Sequence, residues 1–231
     1  MRSGLMVILS GYFGVGPTGV YPLPEGIEGH FISNNPNLKW DAEANGWRFH
    51  MFAGIPMSAD LRINSLQSKL IKFLQFDTSA LGIKSNILYI DHKLKVEHNH
   101  LAAIVNRCDR ALLIPTHPKT TRTLQEEVNA SKNQKRYAEV MAQTVQWINH
   151  GIANEGFKNP DKVAATGLIY YTDPEIVRPL INRVFNTCWL LGQPQCQIIW
   201  SLLAQSYEQH IRQIPWTEIE PLWREPEPSS Q

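Results

Sequence analysis

Ile87-Leu88-Tyr89-Ile90-Asp91 is the stretch on which the fold turns. Four apolar residues in a row, without polar alternation, suit a strand buried on both faces. Such strands belong to parallel sheets covered by helices. A carboxylate at the end of the run puts a charge where the sheet meets its surroundings. Ligands of open α/β sheets bind beyond the carboxyl ends of the strands, so Asp91 is the first candidate functional residue.

The same reading extends outward. Toward the N-terminus, strands are expected over residues 5–9, 30–32 and 47–52. Toward the C-terminus they are expected over 111–114 and 163–170. Helical patterns fill the intervals. Pro56, Ser58 and Asp60 supply start signals for a helix carrying Ile63, Leu66, Leu70, Phe73 and Leu74 at helical spacing. A short helix is expected over 99–106. The stretch 120–150, free of Pro and Gly, reads as one long helix with Thr123-Leu-Gln-Glu126 as its capping box. Two more helices, over 174–191 and 194–214, complete the chain. Residues 11–24 read as a loop because Gly11, Gly14, Gly16, Pro17 and Gly19 fall within them. That loop matches neither a Walker A motif nor GxGxxG.

Strands separated by helices imply an α/β fold with a mostly parallel central sheet flanked by helices. A single domain over 1–223 is expected, followed by a Pro- and Ser-rich tail over 224–231 that reads as disordered. At 231 residues the chain is long enough for a sizeable core. Its 22 basic and 21 acidic residues leave a net charge of +1, which argues against a general nucleic-acid binder. A small anionic ligand needs only a local basic pair. Cys108, Cys188 and Cys196 are widely spaced and form no CxxC pair, which suggests buried thiols in a reducing compartment. No run approaches the ~18 apolar residues of a membrane helix, and residues 5–9 are too short for a signal h-region, so a cytoplasmic location is expected.

Several polar groups stand at or near the strand exits, and each has a functional and a structural reading. Asp91 either holds a divalent cation or sugar hydroxyls, or caps a turn. Lys93 shares a side with Asp91 if the chain stays extended, and otherwise is a solvated lysine. Arg62 and Lys69, seven residues apart on one helix, form a diphosphate grip or two snorkelling flank charges. His117, Arg122, Glu126 and Glu127 are the densest polar group. A glutamate there is either a base oriented by Arg122 or a complement to the helix dipole. His92, His98 and His100 form a local cluster that reads as a metal site or, with no carboxylate at ligand spacing, as a solvated loop.

The order of these segments resembles a known family. It runs from Phe31-Ile-Ser-Asn-Asn35 through Gly46-Trp47, Ser68-Lys69 and Tyr89-Ile-Asp-His-Lys93. His117-Pro118, Arg122 and Glu126-Glu127 follow. The pattern is similar to the turgor-regulation and mucilage-related glycosyltransferase-like domain family, over roughly residues 5–207. The resemblance implies a glycosyltransferase-A-like, Rossmann-like fold that takes a nucleotide-sugar donor and a glycan or other acceptor. By it, Asn34 lies near the nucleotide base and Lys69 near the donor phosphates. Asp91 stands in place of the Asp-x-Asp metal motif, with Mn or Mg as the implied cation. His117, Arg122 and Glu126 or Glu127 line the acceptor side.

Three positions depart from the family pattern. Lys93 stands where a second metal-binding aspartate is usual, which leaves metal dependence open. Asn34 replaces a common acidic residue. Gln195-Cys196-Gln197 keeps only Gln197 of a late Arg-Asp-Gln motif, so a domain that binds nucleotide or carbohydrate without turnover is the alternative. A third reading, a structural or interaction protein, predicts no nucleotide affinity.

Overall fold

The computed structural model describes residues 6–16, 18–83, 86–119 and 122–223. Within them, nine strands are numbered in chain order. They are β1 (Val7–Tyr12), β2 (Glu28–Ser33), β3 (Arg48–Met51), β4 (Ile87–Ile90), β5 (Leu94–Lys95), β6 (Leu112–Pro115), β7 (Leu168–Tyr171), β8 (Ile211–Ile214) and β9 (Leu222–Trp223). The α-helices are α1 (Lys39–Ala44), α2 (Leu61–Gln67), α3 (Lys69–Lys72), α4 (His98–Arg107), α5 (Leu124–Lys132), α6 (Lys135–Ala138), α7 (Met141–Asn154), α8 (Arg178–Leu190) and α9 (Cys196–Leu203).

Seven strands form one sheet in the order β3-β2-β1-β4-β7-β6-β8, and β5 pairs with β9 in a small second sheet. All pairings in the large sheet are parallel except the two made by β7, which runs against β4 and β6. This is the mostly parallel, helix-flanked α/β architecture the sequence implies.

The two faces explain the uninterrupted apolar runs. Side chains alternate across a strand. Ile87 and Tyr89 join one buried cluster with Ile71, Phe73, Trp200 and α8, while Leu88 and Ile90 join the other with Phe31, Trp47 and Ile104. A strand with a core on each side has no solvent face to mark with polar residues.

Several boundaries differ from expectation for identifiable reasons. Gly11 belongs to β1 rather than to the following loop. A Cβ there would lie 2.2 Å from the Ile32 carbonyl oxygen, so the glycine permits close strand approach. The expected helix from residue 60 breaks at Ser68 into α2 and the single turn α3. Its start is as read: Asp60 accepts hydrogen bonds from the Arg62 and Ile63 amides. The expected long helix over 120–150 is three helices, interrupted at Asn133–Gln134 and Glu139–Val140, where the chain turns. Residues 120 and 121 and the tail at 224–231 lie outside the described residues.

The last expected helix stops at Leu203. A 3-10 segment, Ala204–His210, then leads into β8, an edge strand exposed at Arg212 and Gln213 that carries too little pattern to read from sequence. His98 and His100 sit on α4, where the His100 Nδ1 accepts the Glu97 amide in a reciprocal cap. Among the described residues, no helix is long and apolar enough to cross a membrane.

Candidate functional site

Beyond the carboxyl ends of β1 and β4 lies a cleft of about 590 Å³. It is closed on its other sides by α2 and α3, by the segments after β6 and before β7, and by the start of α9. Asp91, Lys69, Lys93, His117, Arg122, Glu127 and Gln197 all line it, so seven of the ten candidates meet in one place. The sheet gathers them because β4 and β6 both end on this side.

Asp91 sits two residues after Tyr89 and points to the same side of the sheet. The Tyr89 hydroxyl donates to Asp91 Oδ1 at 2.5 Å. Lys72 Nζ lies 3.2 Å from that same oxygen, forming an ion pair. Burial works to raise the Asp91 pKa, but Lys72, Lys69 and the Tyr89 hydroxyl outweigh it, and the carboxyl stays below its usual value. Residues 91–94 form a turn closed by the Leu94 amide on the Asp91 carbonyl at 2.8 Å. The chain is therefore not extended here, and Lys93 does not repeat the direction of Asp91. It is an exposed lysine on the rim.

Lys69 and Lys72 stand at the two ends of α3, three residues apart and so on one helix face. Both are almost wholly buried, with 6% and 3% of their surface exposed. Lys72 is paired with Asp91. The Lys69 ammonium makes no hydrogen bond or ion pair among the described residues, although the side chain lines the cleft. Burial pushes its pKa down, with Lys72 adding repulsion and Cys196 and Asp91 opposing.

The acceptor-side candidates form a second group. Glu127, 2% exposed, has Oε2 2.6 Å from Arg122 Nε. That contact is an ion pair, not an aligned hydrogen bond, since neither atom has a hydrogen-bond partner. Its other oxygen accepts a hydrogen bond from the Gln195 amide. His117 Nδ1 accepts the Lys119 amide at 3.1 Å, which leaves the proton of the neutral ring on Nε2. Burial, followed by the nearby Arg122, lowers the His117 pKa to about 4.

Three candidates lie elsewhere. Asn34 is buried and holds the backbone together. Its Oδ1 accepts the Gly14 amide at 3.0 Å, and its Nδ2 donates to the Ile55 and Pro56 carbonyls. Arg62 pairs with Glu139 at 3.5 Å on the flank of α2, outside the cleft lining. Glu126 closes the capping box with the Thr123 amide and hydroxyl and is exposed.

Lys72, Tyr89, Tyr137 and Gln195 are cleft residues that the sequence reading missed. Lys72 interrupts the apolar run Leu70-Ile71-Phe73-Leu74, and a lysine inside such a run is the signal that was there to find.

The cleft is cationic. Lys69, Lys72, Lys93, Arg122 and Arg136 face Asp91 and Glu127, five positive side chains against two negative ones.

No protein-family model matches the sequence. No curated protein matches it either. Among solved structures, the chain is similar to a CMP:2-keto-3-deoxy-manno-octonic acid synthetase complexed with CTP, with a TM-score of 0.41 and 11% identity. The match covers 91% of this chain and 88% of that one. A likeness this distant bears on neither substrate nor mechanism.

Proposed function

We propose that the cleft binds a nucleotide sugar and that the protein transfers its glycosyl group to an acceptor hydroxyl. The observation that carries this reading is Lys69, a nearly buried lysine whose ammonium has no hydrogen-bond or ion-pair partner among the described residues, in a cleft with surplus positive charge beyond the carboxyl ends of parallel strands. Leaving a charge buried and unpaired is costly, and an anionic ligand repays the cost. The departing diphosphate develops negative charge as the glycosidic bond breaks, and fixed cations stabilise that charge best where water is excluded.

The remaining groups divide the other tasks. Asp91 Oδ2 accepts no hydrogen bond among the described residues and is the carboxylate oxygen left to receive a sugar hydroxyl. Arg122 and the His117 Nε2 proton are donors on the acceptor side. Glu127 orients Arg122, because both its oxygens are engaged. The same engagement favours a second reading, a domain that binds its nucleotide without turnover. Neither glutamate is placed to act as a base, since Glu126 caps the helix outside the cleft lining.

The test is a panel of nucleotide sugars, scored for thermal stabilisation and for release of nucleoside diphosphate. Stabilisation with release supports transfer, and stabilisation without release across all sugars and acceptors supports the binding domain. If no member of the panel stabilises the protein, both readings fail.

A further inference from the structure

We propose that the two lysines of α3 take the place of a divalent cation, so that the cleft grips a diphosphate without metal. This rests on the reading of the cleft as a nucleotide-sugar site and specifies how that site meets the phosphates.

A cation held in the usual way would sit on the carboxylate at the end of β4. Oxygen ligands of Mg or Mn type ions lie about 2.0–2.2 Å from the metal. Asp91 Oδ1 already accepts the Tyr89 hydroxyl and lies 3.2 Å from Lys72 Nζ. A metal on that oxygen would meet the Lys72 ammonium at close range and be repelled by it. Lys93, two residues on, is an exposed lysine on the rim and supplies no second carboxylate. Among the described residues, no three His, Cys, Asp or Glu side chains are grouped so as to hold a metal ion. Asp91 Oδ2 is left over, but one carboxylate oxygen with no grouped partner ligands and the Lys72 ammonium on its neighbour does not make a fit for a divalent cation.

They do fit its electrostatic task. Asp91 cancels one of the two α3 ammoniums and leaves the other unbalanced. The spacing of one helical turn places both heads on one face, and that face lines the cleft. Lys72 is steadied further by the Tyr89 ring, 5.3 Å from Nζ, and by Cys196 Sγ at 3.9 Å. It is a positioned charge rather than a waving surface lysine. Lysine binds phosphate as a point charge, and two such charges can engage both phosphates of a diphosphate. Asp91 then positions the Lys72 head instead of ligating a metal.

The experiment is thermal shift of the full chain with inorganic pyrophosphate and with uridine, guanosine, cytidine and adenosine diphosphates, each in EDTA and in Mn²⁺. Pyrophosphate and at least one nucleotide should stabilise the protein in EDTA, with no gain from Mn²⁺. Lys69→Met should weaken both ligands by about tenfold or more, the worth of a charge-assisted contact. The Lys69 ammonium has no partner among the described residues to orphan, so this variant should fold. Lys72→Met is paired with Lys72→Met/Asp91→Asn, which removes the charge without leaving Asp91 alone.

Ligands bound only with Mn²⁺ would overturn the metal-free grip and leave the nucleotide-sugar reading standing. Pyrophosphate bound in EDTA with no nucleotide bound would do the reverse. Undiminished affinity in Lys69→Met, or no binding of any ligand, would remove the lysine grip in the first case and both proposals in the second.

Discussion

Lys72 Nζ and Asp91 Oδ1 lie 3.2 Å apart, joining the last residue of a one-turn helix to the end of the central strand. Lys72 is nearly sealed, while the Asp91 side chain keeps 35% of its exposure, so the pair is half-screened. Breaking one side of a buried pair orphans the other charge. Asp91→Asn should destabilise the protein by about 1–3 kcal/mol, discounted for that exposure. Lys72→Met/Asp91→Asn should recover much of the loss. Denaturant unfolding of these two variants and of Lys72→Met gives the coupling, and additive losses would show that the pair contributes nothing.

The close approach of β1 and β2 gives a second expectation. A Cβ at residue 11 would lie 2.2 Å from the Ile32 backbone oxygen and 2.4 Å from Ile71 Cδ1. The isoleucine can move, but a strand carbonyl cannot move without disturbing the ladder. Gly11→Ala should cost about 3 kcal/mol by overpacking and should loosen the cleft wall it lines. A melting temperature unchanged from the parent would place the two strands further apart than described.

Asn34 carries a third. Its amide donates to two carbonyls, Ile55 at 3.4 Å and Pro56 at 3.1 Å. An aspartate would set a carboxylate against those oxygens, so the position does not suit an acidic residue. Asn34→Asp should lose about 2–4 kcal/mol at neutral pH, from lost donors and a buried charge. Recovery on acidification, as the carboxyl takes a proton and can donate, would identify the cause. A loss that is the same at low pH would refute it.

These residues show what the sequence could and could not convey. The strand over 87–90 and its terminal aspartate were readable because burial on both faces leaves an unbroken apolar run. The Asp60 cap and the Thr123–Glu126 box were readable because capping is local chemistry. β8 was not, because an edge strand of four residues with two exposed polar positions has no helical or strand signature of its own. Lys72 was hidden for a different reason. Its partner comes from another element, and a helical stripe drawn from apolar residues passes over a lysine within it. Arg62 fell the other way: its spacing from Lys69 suggested a shared grip, but its head pairs with Glu139 of another segment and stays outside the cleft lining.

The Arg122–Glu127 pair gives a fourth expectation. Arg122 keeps 15% of its side-chain exposure and Glu127 3%. Glu127→Gln preserves shape but leaves a guanidinium without a counter-charge, at a cost of about 2–3 kcal/mol. If Glu127 orients Arg122 rather than taking a proton, the variant should weaken acceptor use while leaving nucleotide stabilisation intact. A selective loss of turnover with a shifted acid limb in the pH profile would instead mark it as a base.

His117 ties the site to pH. Its pKa is about 4 in the folded chain against an ordinary 6.5, because burial and Arg122 disfavour the charged ring. Between those values the unfolded chain binds the extra proton and the native chain does not. The His117 contribution is therefore whole above pH 6.5 and is lost as pH falls toward 4. His30 and His50, stacked on one another and also lowered by burial, act in the same direction, so the slope alone does not isolate one residue. The comparison that does is His117→Gln against the parent, by denaturant unfolding at pH 7 and pH 4.5. The variant should lose less stability on acidification than the parent. It should also keep a hydrogen-bond donor near the Nε2 position, so that nucleotide stabilisation at pH 7 survives. An equal loss in both proteins, or a His117 ring that titrates near 6.5 by NMR, would mean that the ring is solvated and not packed beside Arg122.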